Sequence, residues 1–126
     1  MTNYLLVFAG GGIGAVLRHA FNGVALALWG ASFPWGTLII NVSGSLLMGV
    51  VVELAALKLG MSSQLRLFLA TGILGGYTTF STFSLETGLL HSRGDTALAI
   101  AYALGSVLLG VAGFFSGLYA VRALAA

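Results

Sequence analysis

The densest group of side chains that could do chemistry lies in residues 71–84, which read TGILGGYTTFSTFS. After the pair Gly75-Gly76, five hydroxyls fall within seven residues: Thr78, Thr79, Ser81, Thr82 and Ser84. Hydroxyls donate and accept hydrogen bonds, and aromatic ring edges, here those of Phe80 and Phe83, carry partial positive charge. Such groups can replace the hydration shell of an ion, so the segment predicts an ion or solute site. The alternative is that the hydroxyls bond back to their own helix and the rings fill the core.

The spacing within this segment places these groups on helix faces. Thr78 and Thr82 are four residues apart, and Phe80 and Phe83 are three apart, as are Ser81 and Ser84. The glycine pair predicts a break in the helix, and unwound backbone near Gly75 and Thr78 would leave carbonyls free. Such carbonyls coordinate small cations at membrane depth. A plain kink filled by a neighbouring side chain is the other interpretation.

Three further polar residues lie inside apolar stretches. Thr37 and Asn41 are four residues apart, and a buried carboxamide must find partners. Asn41 therefore either lines a pore as a hydrogen-bond donor or forms a hydrogen bond between helices. Arg18 could draw anions into a vestibule, cap the carbonyl end of a broken helix, or snorkel to the interface. Glu86, like Glu53, is expected about one turn from a helix end.

The composition places the chain among integral membrane proteins. Of its 126 residues, 59% are hydrophobic and only 6% are charged. There is no cysteine, and the few basic residues form no patch that would bind nucleic acid. No catalytic triad, carboxylate dyad or phosphate-binding loop is present in the sequence, which argues against an enzyme.

The hydrophobic pattern predicts a single all-α domain over residues 1–126 with four transmembrane helices. Their expected bounds are 3–28, 35–57, 63–90 and 96–124, with the third helix broken near Gly75-Gly76. Lys58, Arg66 and Arg122 would share one membrane side, and Arg93, with Arg18 nearer to it, the other. This weak bias permits both orientations. The small-residue pairs Gly10/Gly14 and Gly113/Gly117 suggest oligomerisation.

Three segments taken together resemble the Fluc fluoride-channel family, also called CrcB. They are residues 14–18 (GAVLR), 36–41 (GTLIIN) and 72–83 (GILGGYTTFSTF), and the last is the most specific. The resemblance covers nearly the whole chain. It implies a dual-topology homodimer of two antiparallel subunits in the bacterial inner membrane, in contact with lipid and needing no other protein partner. It also implies two pores for passive, electrogenic fluoride export, which confers fluoride resistance.

The resemblance also implies roles for individual residues. Phe80 and Phe83 would lie on the fluoride path, with Asn41 reaching into it. Carbonyls of Gly75 and Thr78 from both subunits would hold a central, structural sodium ion. Hydroxyls would line the pore from Ser81, Thr82, Ser84 and Ser106, with Thr37 on the second helix. Some members carry a further hydroxyl where this chain has Gly110; the phenol of Tyr102 is a candidate substitute.

Two other classes of protein compete with this interpretation. A proton-coupled exporter of the small multidrug resistance type also has four short spans, but it needs a membrane-centred carboxylate in its first helix. Here that helix carries Arg18 and no acid. A non-transporting assembly subunit would leave the clustered hydroxyls and the broken helix unexplained.

Overall fold

The computed structural model describes residues 1–57 and 60–126, and the regular structure within these ranges is helical. The elements in chain order are α1 (Thr2–Trp29), α2 (Trp35–Ala56), α3 (Ser63–Arg66), a π-helix called π1 (Leu67–Leu74), α4 (Gly75–Tyr77), α5 (Phe80–Ser92) and α6 (Thr96–Ala125). Their outer ends lie within two residues of the predicted bounds. Lys58, predicted in the second connection, lies outside the described residues.

Three of the described helices, α1, α2 and α6, are long and apolar enough to cross a membrane. Residues 63–92 form a fourth segment, which consists of shorter helical pieces. Large apolar side chains are exposed along the long helices, including Phe8, Val16 and Leu108. Exposed apolar surface of this extent is stable in lipid or against another subunit, and the chain is a multi-pass helical membrane protein.

The predicted break in the third segment is present, but it lies at Thr78 and Thr79 rather than at the glycine pair. Gly75 keeps helical angles (φ −63°, ψ −36°), whereas Thr78 (φ −78°, ψ 158°) and Thr79 (φ −152°, ψ 117°) are extended. Threonine tolerates extended backbone well, and the break is fixed there by hydrogen bonds of the Thr79 peptide to Asn41 and by the Thr79 hydroxyl, which caps the next helix. The preceding π1 also departs from α-helical geometry, a feature often found at functional sites.

The glycines instead permit close packing of α1 against π1 and α4. A Cβ on Gly14 would overlap the carbonyl of Ile73 and the amide of Tyr77, and one on Gly76 would overlap the backbone of Gly11. Gly10 likewise lies against Gly72. The packing partner of Gly10 and Gly14 lies within the same chain, and a role of this helix face in oligomerisation stays a prediction.

A second close contact joins α2 and α6. A Cβ on Gly117 would overlap the carbonyl of Leu46, and Gly113 faces Val42, so this glycine pair also packs within the chain. Near one end of the contact, the Arg122 guanidinium donates to both carboxylate oxygens of Glu53, at 2.9 and 3.1 Å. Glu53 is only 3% exposed, so the ion pair fixes the register of the two helices.

Candidate functional site

The break is held by a side chain from a different helix. The Thr79 backbone N–H donates to Oδ1 of Asn41 at 2.8 Å, and Nδ2 of Asn41 donates to the Thr79 carbonyl at 3.0 Å. A carboxamide matches the donor and acceptor of one peptide unit, so Asn41 takes the place of helical partners that an extended residue lacks. Asn41 thus forms the predicted bond between helices, and one N–H of its amide stays available.

Thr79 begins α5 as its N-cap, a role that the sequence analysis did not assign. Its Oγ1 accepts from the backbone N–H of Thr82 at 3.3 Å and donates to Thr82 Oγ1 at 3.0 Å. Ser81 Oγ lies 3.4 Å from the same atom. Thr79 is buried, with 6% of its surface exposed. The signal was present in the sequence, since Thr is a favoured N-cap and follows another β-branched residue.

A cleft of about 430 Å³ lies beside the break, between α2, the start of α5 and α6. Four of the predicted pore residues line it together: Asn41, Phe80, Phe83 and Ser106. The ring centroids of Phe80 and Phe83 are 5.4 Å apart, and Phe80 is 78% exposed. The Oγ of Ser106 is buried and has no hydrogen-bond partner among the described residues. A buried hydroxyl of this kind is free to bond a ligand in the cleft.

Gly110 also lines this cleft, at the position where a further pore hydroxyl was expected. Ser45 Oγ lies 3.6 Å from the point that a Cβ on Gly110 would occupy. A hydroxyl from α2 therefore lies beside the gap that the glycine leaves on α6. The sequence analysis proposed Tyr102 for this purpose, and the structure places the Tyr102 hydroxyl elsewhere.

Glu86 joins Thr37 and Tyr102 next to a second cavity. Thr37 Oγ1 donates to Oε1 of Glu86 and the Tyr102 hydroxyl donates to Oε2, both at 2.8 Å. Thr37 and Tyr102 are 1% and 2% exposed. Glu86 and Thr37 line a cavity of about 320 Å³ between α1, the loop after it and α5. The Tyr102 ring is 5.3 Å from that of Phe83, which lines the first cleft.

The remaining predicted pore and vestibule residues line neither of the two cavities. Ser84 is exposed and its Oγ donates to the carbonyl of Phe80, so it bonds back to its own helix. Ser81 is also exposed. Arg18 is half-buried on α1 and lines neither cavity, and no hydrogen bond or ion pair to it is present in residues 1–57 and 60–126.

The backbone at Gly75 and Thr78 has the donor chemistry of a cation site. In a continuous helix their carbonyls would accept from the N–H groups of Thr79 and Thr82. Those two N–H groups instead donate to the side chains of Asn41 and Thr79. Within the described ranges, no cluster of three His, Cys, Asp or Glu side chains could hold a metal. Neutral carbonyl oxygens are therefore the ligands that this region offers.

Comparison with known proteins places the chain in a family. Residues 5–118 match the family model described as CrcB-like protein, Camphor Resistance (CrcB). "Fluoride-specific ion channel FluC 2" of Nitrobacter hamburgensis is 54% identical over 120 residues, covering 95% of this chain and 97% of that protein. "Fluoride-specific ion channel FluC" of Rhodopseudomonas palustris is 56% identical, covering 96% and 98%. A protein of the same name from Granulibacter bethesdensis is 54% identical, covering 98% of each chain. Because the match is nearly full-length, the chain belongs to the CrcB-like family.

Proposed function

We propose that this protein is a fluoride-selective ion channel that gives passive, electrogenic export of fluoride from the cytoplasm. The relatives that carry the name fluoride-specific ion channel support the proposal. The observation that carries it is the cleft beside the break, where Asn41, Phe80, Phe83 and Ser106 converge from three elements. Conduction through a channel requires no covalent chemistry, in keeping with a family whose named relatives are channels rather than enzymes.

The cleft offers hydrogen-bond donors without a fixed positive charge. Fluoride is small and strongly hydrated, so several donors must replace its water. The free hydroxyl of Ser106, the remaining amide N–H of Asn41 and the edges of the two phenylalanine rings can do so. The positive end of the α5 dipole adds to the attraction. Binding by neutral groups is strong enough for entry and weak enough for release.

The path continues from the cleft past Phe83 to the second cavity. Thr37 and Tyr102 each have one hydroxyl proton, and both give it to Glu86. A passing anion competes with the carboxylate for these protons. These two hydroxyls therefore serve as exchangeable donors between the two cavities, and Arg18 and Glu86 set the charge around the route.

The working channel is an antiparallel homodimer with four spans per chain in the bacterial plasma membrane. Residues 63–92 form the remaining span, with the break at membrane depth, where irregular backbone is tolerated only inside protein or at a cavity. Phe80 is highly exposed, and a second copy would cover it. The Gly75 and Thr78 carbonyls of both copies hold a structural sodium ion, which supplies a fixed positive charge at the dimer centre.

The test is fluoride efflux from liposomes loaded with potassium fluoride, measured with an ion-selective electrode after valinomycin is added. We expect rapid, valinomycin-dependent fluoride release with little chloride release. Phe80→Ile and Phe83→Ile should lower the flux by about tenfold, since an aromatic-edge interaction of ~1.4 kcal/mol is lost. Well-folded wild-type protein that releases no fluoride would contradict the proposal, and variants with unchanged flux would remove the rings from the path.

A further inference from the structure

We infer that Asn41 and Thr79 are positioning residues that create the cation-binding carbonyls, by removing the donors that would otherwise occupy them. This inference rests on the sodium site of the proposed function. Neither side chain touches the ion, because each acts by accepting a backbone N–H. Asn41 and Thr79 together form the capture pair.

At the break, one side chain takes the helical N–H donor away from each of the two carbonyls. Oδ1 of Asn41 accepts from the Thr79 N–H at 2.8 Å, which withdraws the helical donor of the Gly75 carbonyl. Oγ1 of Thr79 accepts from the Thr82 N–H at 3.3 Å, which withdraws the helical donor of the Thr78 carbonyl. The two carbonyls released are three residues apart.

The same bonds prevent the helix from closing. Without Oδ1 of Asn41, the buried N–H of Thr79 would lack an acceptor, and the Gly75 carbonyl is the nearest helical alternative. Asn41 also binds the Thr79 carbonyl at 3.0 Å, so it fixes both ends of this residue. Ser43, two residues further on α2, lies 3.2 Å from the Tyr77 hydroxyl and steadies a side chain rather than the backbone.

The released carbonyls are placed to suit a cation. They lie at the carboxyl end of the helical segment 63–77, where the backbone dipole is negative. Gly75 is exposed, so this part of the backbone is not covered by the rest of the chain. Neutral oxygens without a carboxylate suit a monovalent cation better than calcium or magnesium, whose sites usually include carboxylates.

The inference is tested by sodium affinity rather than by flux. Purified protein in detergent is titrated with sodium chloride against an N-methylglucamine background, and affinity is obtained from the sodium-dependent rise of the thermal unfolding midpoint. Asn41→Leu removes the first capture and Thr79→Val the second, and each keeps the branching and the number of heavy atoms of the side chain. Loss of groups that orient ligands typically weakens metal binding by about tenfold to a hundredfold, and we expect that loss here.

Matched variants separate capture from general damage. Thr79→Ser keeps the hydroxyl and Asn41→Asp keeps the acceptor for the Thr79 N–H, so both should retain most of the sodium affinity. Ser43→Ala removes another polar contact between α2 and residues 75–79 and should bind sodium as the wild type does. If Asn41→Leu yields no folded protein, the comparison of Thr79→Val with Thr79→Ser carries the test.

Three outcomes would overturn the inference. If the wild type responds to sodium and Thr79→Val and Asn41→Leu respond equally, the capture pair has no role and the sodium site stands. If Thr79→Ser loses affinity as Thr79→Val does, the hydroxyl is not the cause. If the wild type shows no sodium response, the sodium site fails and the capture pair with it, whereas fluoride efflux still tests the channel separately.

Discussion

At the scale of single residues, several polar groups of this protein are satisfied by side chains from other helices. Glu86 is the clearest case, because its two carboxylate oxygens receive the hydroxyls of Thr37 on α2 and Tyr102 on α6. A partly buried carboxylate needs such donors, and the two residues that supply them are almost completely buried. The three residues therefore combine a structural bond with a place on the proposed fluoride path.

Tyr102→Phe separates these two contributions. The ring stays packed between Phe33 and Phe83, but Oε2 of Glu86 loses its donor. We expect the free energy of unfolding to fall by about 1–3 kcal/mol, the cost of a hydrogen bond lost from a charged group. Fluoride efflux should fall as well, because one exchangeable donor is missing. Chemical unfolding in detergent and the liposome assay measure the two effects.

Tyr119→Phe is the matched control for this prediction. Tyr119 lies on the same helix, is 57% exposed, and contacts Arg122 through its ring, which the change preserves. Its stability and flux should stay at wild-type values. If Tyr102→Phe also leaves both quantities unchanged, the Glu86 bond is neither structural nor part of the path.

At the scale of elements, the broken helix shows what the sequence could and could not predict. Helix bounds follow from hydropathy and from the helix-breaking residues between the apolar segments. All four apolar segments lie where the pattern places them. The break was predicted from Gly75-Gly76 because glycine is the weaker helix former. In the structure Gly75 stays helical and Gly76 packs against Gly11 of α1. A glycine that allows two helices to pack closely cannot be distinguished, in a single sequence, from one that breaks a helix.

The candidate site was predictable to the same extent. The convergence of Asn41, Phe80, Phe83 and Ser106 on one cleft follows the motifs that carry the family resemblance. The role of Thr79 depends on a hydrogen bond to a residue 38 positions away, and the Glu86 contacts join residues up to 49 positions apart. Pairings over such separations depend on how helices pack, so a reading of local spacing could name the residues but not their partners.

Gly14→Ala tests whether close approach of α1 positions the break. The added methyl would overlap the Ile73 carbonyl and the Tyr77 amide, so α1 must move away from π1 and α4. Overpacking of this kind costs about 1–3 kcal/mol, and we expect a comparable loss of unfolding free energy together with reduced fluoride flux. Gly23→Ala on the same helix meets no atom within 4 Å and should fold normally. Equal stability of the two variants would show that the contact tolerates a methyl group.

At the scale of the whole molecule, the positive charges give only a weak bias in orientation. The end that would hold the termini has Lys58, Arg66 and Arg122, and the other end has Arg93, with Arg18 nearer to it. Because positive charge in short loops is what orients helices, this weak bias permits insertion of the proposed antiparallel pair in both directions.

Ala126→Cys tests that orientation directly, since the chain has no cysteine of its own and the substitution supplies a single thiol at an exposed terminus. In an antiparallel dimer related by a two-fold axis in the membrane plane, the two C-termini lie on opposite sides. A membrane-impermeant maleimide added to intact spheroplasts should therefore label roughly half of the thiols, and all of them after permeabilisation. Labelling of all or none of the thiols before permeabilisation would mean a single orientation. A parallel arrangement would then have to bring the Gly75 and Thr78 carbonyls of two copies together about an axis normal to the membrane.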